Sequence, residues 1–294
     1  ADNTDAETTT FTVGAGVNAA IQVADNDTEG TTIALGEDTI DDAITVTIGG
    51  RTSQSAAVEM GTLTLDGYED ITLSSVNTKD SINSLVSNTA KSLTVIGDKD
   101  LTLTAYTAAS VKTIDASAMT GKFIMSAAGG ASSQTITTGS GNDTVRGNTS
   151  GTGKNVISTG AGNDTVVGAT GATTVDLGAG NDTFAVGAIA NLTSADKVDG
   201  GDGVDVVAFA GDEDVDLTAD ITTLNGLSNF EAYAFSAYTG TRTATINDTV
   251  MNNGSVVAQF TADVTGNNTF SAAGVLTSTN TVSFTDKSAA GTNT

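Results

Sequence analysis

Residues 159–185 read TGAGNDTVV GATGATTVD LGAGNDTFA, three blocks of nine with nothing between them. Gly-x-Gly-Asn-Asp-Thr stands in the first and third blocks and has decayed in the second. The same hexapeptide occupies 139–144 (GSGNDT), and an altered form, GGDGVD, fills 200–205. A motif kept on alternate blocks implies that alternate blocks share an environment the intervening block does not.

The segments align on the nonapeptide G-G-x-G-x-D-x-U-x, where U is a large apolar residue. They are 138–146 TGSGNDTVR, 150–158 SGTGKNVIS, 159–167, 168–176, 177–185 and 200–208 GGDGVDVVA. Three residues are inserted after the first segment and fourteen after the fifth. A single copy is better read as plain turn chemistry, with Asn and Asp capping the strands of a solenoid that binds no metal. Four copies in one register favour a metal.

These tandem repeats resemble the RTX family, secreted proteins whose glycine-rich nonapeptides wind into a calcium-binding parallel β-roll. The resemblance covers 138–208. It implies that each nonapeptide makes a half-turn, so that loops eighteen apart, such as 159 and 177, stack on one edge with Ca2+ between them. Asp143, Asp164, Asp182 and Asp205 then form one ladder of calcium ligands with about three sites between four loops. The loop at 200 joins that ladder if 186–199 bulges out. Gly139, Gly141, Gly160, Gly162, Gly178, Gly180, Gly201 and Gly203 let the backbone turn with positive φ and aim carbonyls at the ion. The opposite edge carries Asn155 and Thr173 at the aspartate position and is expected to bind calcium weakly or not at all.

The chemistry suits those residue types. Stacked strands lie about 4.8 Å apart. At an effective dielectric near 20, two carboxylates about 5 Å apart repel by roughly 3 kcal/mol. A hard divalent cation with six or more oxygen ligands removes that cost. Val145, Ile157, Val166, Val175, Phe184 and Val207 are expected to point inward as a thin core.

Elsewhere short alternating runs recur, among them AITVTI, GTLTLDG, DITLSSV, SLTVIG and LTLTAY. Each sets Leu, Ile or Val on one face against Thr on the other, as half-buried strands do. The expected fold is all-β: a β-solenoid or parallel β-roll flanked by irregular β-solenoid or β-sandwich segments. Four parts are expected: 1–58 β-rich, 59–137 solenoid-like, 138–208 the calcium-binding roll and 209–294 β-rich. The one expected helix is a short one over 80–91, DSINSLVSNTAK.

Composition narrows the function. Of 294 residues 53 are Thr, and there is no Trp, which suits thin repetitive β-structure. With 35 acidic against 11 basic residues the net charge is −24, which disfavours nucleic acid and anionic membranes as partners. No apolar run is long enough to span a membrane. The chain has no Cys and no His, so thiolate nucleophiles, Cys-ligated zinc, Ser-His-Asp triads and H-E-x-x-H sites are excluded. Paired-carboxylate glycosidase chemistry survives but lacks aromatic platforms. No enzyme activity is expected. The opening ADNTDAETTT has neither a basic nor an apolar leader region, which suggests a processed chain, a fragment, or export without an N-terminal signal.

Outside the repeats, VKTIDASAMTGKFIMSAAGG (111–130) and LNGLSNFEAY (224–233) resemble type I-secreted bacterial S-layer proteins. That resemblance implies an extracellular, calcium-dependent, self-assembling structural protein whose partner is itself, with cell-surface polysaccharide as a further partner. Two alternatives stay open: an adhesin or biofilm-matrix module, and the non-catalytic RTX portion of a larger secreted enzyme or toxin. Acidic clusters at 25–29, 37–42 and 212–216 are candidate extra calcium sites or solvated loops. Phe230, Tyr233, Phe235 and Tyr238 read as core or as an assembly contact.

Overall fold

The computed structural model describes residues 9–13, 19–23, 30–35, 41–49, 56–108, 110–126, 133–147, 153–168, 171–187, 191–209, 215–216, 226–235, 242–246, 256–260, 268–272 and 282–286. The chain divides into two units, Ala1–Gly162 and Asn163–Thr294. Among the described residues every strand pairing is parallel, as in a solenoid whose successive coils lie on one another.

In the first unit one sheet follows the order β1 (Thr9–Val13), β3 (Thr31–Leu35), β5 (Glu59–Asp66), β7 (Asp80–Val86), β9 (Leu101–Thr107), β11 (Phe123–Met125), β13 (Thr144–Arg146). The other follows β2 (Ala19–Val23), β4 (Ala43–Ile48), β6 (Asp70–Ser75), β8 (Ser92–Gly97), β10 (Thr113–Asp115), β12 (Thr135–Thr137), β14 (Asn155–Ser158). The chain alternates between the sheets, so each coil contributes one strand to each.

In-register parallel pairing stacks like on like. Ile71, Leu93, Ile114, Ile136 and Ile157 follow one another in the second sheet, all buried. Ile82, Leu103, Met125 and Val145 do the same in the first. Burying each such side chain contributes about 1.5–3 kcal/mol. Thr45, Thr47, Ser92 and Thr94, which alternate with buried residues in β4 and β8, face outward, where β-branched Thr suits a pleated surface.

The helix expected over 80–91 is not there: Asp80–Val86 is strand β7. Its buried residues are Asp80, Ile82 and Leu85, a step of two and then of three. Asn83 drops out of the pairing with β5 and with β9, so the inward face shifts phase by one residue. The offsets to β5 and β9 stay at 22 and 21 on both sides of Asn83, so the strands kink together without an inserted residue, and the kink imitates the i, i+3 spacing of a helix.

The second unit begins with β15 (Thr165–Val167), β16 (Thr173–Asp176), β17 (Thr183–Val186), β18 (Lys197–Asp199) and β19 (Val206–Phe209). It continues with β20 (Val215–Asp216), β21 (Leu227–Ser228), β22 (Ala232–Phe235), β23 (Arg242–Ile246), β24 (Val256–Phe260), β25 (Asn268–Ala272) and β26 (Val282–Asp286). Its strands run in the orders β15-β17-β19-β22-β24-β26, β16-β18-β21 and β20-β23-β25. Val166, Phe184, Val207 and Tyr233 stack as one buried column. Phe209 stacks on Tyr233 with ring centres 6.5 Å apart.

Val145, Ile157, Val166, Val175, Phe184 and Val207 are all buried, as expected. Residues 186–199 are more than a bulge. Lys197–Asp199 is a strand paired with β16, so the segment completes a half-coil of the second sheet. The offset from Thr173 to Asp196 is 23 residues and that from Asp182 to Asp205 is also 23. Both exceed the offset of 18 from Asp164 to Asp182, so the five extra residues lie between β17 and β18.

Candidate metal centre

Each nonapeptide aspartate sits where a loop enters a strand of the first-listed sheet in its unit, and its side chain points inward. Asp143, Asp164, Asp182 and Asp205 are at most 1% exposed. One carboxylate oxygen reaches back by a coil to a backbone N–H. In the first unit the Phe123 amide donates to Asp143 Oδ1 at 2.7 Å. In the second, the Asp164 amide donates to Asp182 Oδ1 (2.7 Å) and the Asp182 amide to Asp205 Oδ1 (2.8 Å). The column of Asp164, Asp182 and Asp205 is thus joined by its own side chains. Asp143 occupies the equivalent place in the first unit.

The second oxygen sets these residues apart. Asp182 Oδ2 and Asp205 Oδ2 are buried and have no hydrogen-bond partner among the described residues. An unmatched buried acceptor costs about 1–3 kcal/mol, more when charged. Burial accordingly raises the pKa of Asp143 and Asp182 above the ordinary carboxylate value, against their backbone hydrogen bonds. Asp205 is pushed up to about 6, by burial first and then by the like charges of Asp182, Glu231 and Asp199. A cation reverses that balance by giving the carboxylate a reason to stay ionised.

The loops are built for close approach. Gly160, Gly162, Gly178, Gly180, Gly201 and Gly203 have positive φ, from 89° to 148°. A Cβ on Gly203 would stand 1.6 Å from the Gly180 carbonyl oxygen, and one on Gly201 1.9 Å from that of Gly178. Gly139 and Gly141 do not adopt positive φ, contrary to expectation. There glycine is required by space alone, since a Cβ on Gly139 would lie 1.9 Å from the Met119 carbonyl oxygen.

The donors gathered here are carboxylate and carbonyl oxygens, with neither imidazole nor thiolate in the chain. That set suits calcium rather than zinc or copper. Among the described residues no three acidic side chains converge on one point. A cation between loops would take one carboxylate per coil and complete its shell with backbone oxygens. The residues fit calcium on those terms, and Asp164, Asp182 and Asp205 with their loop glycines would hold it.

Other carboxylates occupy the same entry position with both oxygens satisfied. Asp80 accepts from the Val58 amide (3.0 Å) and Thr78 Oγ1 (2.8 Å) through Oδ1 and from Ser75 Oγ (3.0 Å) through Oδ2. On the opposite edge Asp196 accepts from the Thr173 amide (2.7 Å) through Oδ1. Its Oδ2 accepts from the Thr193 amide and hydroxyl at 2.6 and 3.0 Å. Such residues satisfy by hydrogen bonding the second oxygen that Asp182 and Asp205 leave open among the described residues. Sequence reasoning missed both, and also missed Asn163 and Asn181. The Asn163 side chain accepts the Asn181 amide and the Asn181 side chain the Val204 amide, tying the loop tips together. The available signal was Asp-x-apolar without flanking glycines: Asp80-Ser81-Ile82 and Asp196-Lys197-Val198.

Of the acidic clusters outside the repeats, residues 25–29, 37–38 and 212–214 lie outside the described residues. Asp42 is buried beside Glu69, whose Oε2 accepts the Asp42 amide at 3.0 Å. Tyr233 is core, whereas Tyr238 lies outside the described residues.

The family model of the RTX calcium-binding nonapeptide repeat (four copies) matches residues 128–150 and 149–184. No curated protein and no solved structure matches the chain. The loop at 200–205 lies beyond the matched residues but repeats the glycine conformations and the carboxylate-to-amide bond of the loop at 177–182. The chain thus carries RTX-type calcium-binding nonapeptide repeats on a parallel β-solenoid.

Proposed function

We propose that the chain is a calcium-dependent, self-assembling structural protein of the bacterial cell surface, a lattice or filament subunit exported by type I secretion. The observation that carries this reading is the buried carboxylate column, with unmatched Asp182 Oδ2 and Asp205 Oδ2, in a chain of net charge −24. Such a column opposes folding where calcium is scarce and favours it where calcium is roughly millimolar, outside the cell. Among the described residues the terminal strands of the parallel sheets are paired on one side only, an edge that a second copy can extend. Calcium bridging between acidic faces supplies the lateral contact, and cell-surface polysaccharide is the proposed anchor. The body is non-catalytic on this reading, in keeping with a chain devoid of His and Cys.

The test is negative-stain electron microscopy of the purified chain in EGTA and in roughly millimolar calcium, with circular dichroism alongside. Ordered sheets or filaments in calcium alone are expected. A calcium-dependent fold that stays monomeric overturns self-assembly and moves the reading to an adhesin or matrix module.

A further inference from the structure

The carboxylate column does not stop at the last glycine loop. Glu231, at the entry to β22, reaches back and accepts the Asp205 amide through Oε2 at 2.8 Å. That is the bond Asp182 and Asp205 each make to the coil before. The turn leading to Glu231 is built differently from the nonapeptide loops. Gly200 pairs with the coil that follows through a hydrogen bond from its amide to the Ser228 carbonyl. From there Asn229, Phe230 and Glu231 cover a corner that takes Gly200 to Asp205 in the coil before. Asn229 makes this shortcut by adopting φ of 56°, a conformation in which Asn is one of the few tolerated non-glycine residues. Its side-chain amide then donates to Asp199 Oδ1 at 2.6 Å.

The coil 199–205 and the turn 228–231 thus bring Asp199, Asp205 and Glu231 into one neighbourhood, where Asp205 feels the charge of the other two. Asp205 is wholly buried and its Oδ2 has no hydrogen-bond partner among the described residues. Glu231 commits only Oε2 to the Asp205 amide. Gly200 adds close backbone approach: a Cβ there would stand 2.0 Å from the Asn229 carbonyl oxygen and 2.9 Å from Asp205 Cβ. The local donors are oxygens, and the charges that act on Asp205 are those of Asp182, Glu231 and Asp199.

We propose that Asp205 and Glu231 hold a further divalent cation of the calcium type, at a non-repeat site that continues the column past the last glycine loop. It rests on reading the column as a calcium ladder. Glutamate suits the position because its extra methylene lets one oxygen reach the preceding coil while the other stays with the ion. The site lies beside Tyr233, a core residue two positions on that feels the Glu231 charge. The chain has four Tyr and no Trp, so tyrosine-sensitised emission has few sources.

The test uses the full metal-free chain, calcium stoichiometry by calorimetry, and terbium as a luminescent substitute excited through tyrosine. Glu231→Gln keeps a carbonyl for the Asp205 amide and removes the charge. It is expected to bind one calcium fewer than the parent and to lose most of the terbium emission, with an unchanged circular dichroism spectrum. Tyr233→Phe is expected to lose the emission at full calcium stoichiometry, which keeps the proposal testable should Glu231→Gln misfold. Unchanged stoichiometry and emission in Glu231→Gln, or undiminished emission in Tyr233→Phe, overturns the terminal site. If Asp182→Asn still loses calcium in that case, the ladder stands without it. A parent chain that takes up no calcium overturns both.

Discussion

Asp205 accepts the Asp182 amide through Oδ1 at 2.8 Å and leaves Oδ2 buried with no hydrogen-bond partner among the described residues. One side chain therefore fastens one coil to the next and at the same time holds an unsatisfied charge between them. The first oxygen stitches the coils together, and the second is the one available to the proposed cation.

Calcium should raise the thermal stability of the chain. A ligand that binds only the folded state adds about 2.7 kcal/mol per site at a hundred times its Kd. Melts followed by circular dichroism are expected to shift to higher temperature with calcium, with less β-structure at room temperature in EGTA. Identical melts in EGTA and calcium would remove the calcium dependence altogether.

In metal-free buffer the pH dependence should run opposite to that of most acidic proteins. Asp205 is raised to about 6 in the folded chain from the ordinary carboxylate value of 3.8, and Asp143 and Asp182 shift the same way. A raised folded-state pKa contributes stability that is fully present below the unfolded value and is lost as pH rises through the folded one. Melting temperature without metal should therefore fall between about pH 4 and pH 6–7. With saturating calcium the trend should reverse, because the ion needs the ionised carboxylates.

Asp80 and Asp182 occupy equivalent positions and should respond differently. Asp80→Ala strands the Val58 amide and the Thr78 hydroxyl, and should cost about 1–3 kcal/mol with or without calcium. Asp182→Asn keeps an acceptor for the Asp164 amide and removes the unmatched charge. It should leave the metal-free chain as stable as the parent or more so, while abolishing part of the stabilisation by calcium. Denaturant titrations of both variants, each with EGTA and with calcium, separate the two patterns.

Two glycines make a further contrast. Gly203→Ala places a Cβ against the Gly180 carbonyl in a left-handed conformation, which should cost at least about 1–3 kcal/mol and weaken calcium binding. Gly187→Ala meets no atom within 4 Å and should stay within about 0.5 kcal/mol of the parent. Equal stability of the two variants would show that loop spacing tolerates a side chain.

The parallel solenoid and its calcium loops were legible because they are periodic. A nine-residue repeat sets which residues recur on one edge, and Thr alternating with Leu, Ile or Val sets which face is inside. Where periodicity breaks, legibility ends. The phase shift at Asn83 made a strand look helical, and the extra residues before Lys197 concealed a strand. Asp80, Asp196 and Glu231 carry no glycine signature, so their place in the edge columns emerges only when coils of unequal length are laid in register.

The sequence by itself determined that the chain is β-structured, acidic, without imidazole or thiol, and equipped with oxygen-rich loops for a hard cation. Each of those properties depends on residue type and short-range spacing, which survive without a fold. Only the tertiary structure decided which carboxylate oxygens are satisfied by the protein and which are left for an ion. That depends on whether a hydroxyl or amide, from the same loop or from the neighbouring coil, comes within about 3 Å. The Thr193 amide and hydroxyl do so for Asp196, and no donor among the described residues does so for Asp182 Oδ2 or Asp205 Oδ2.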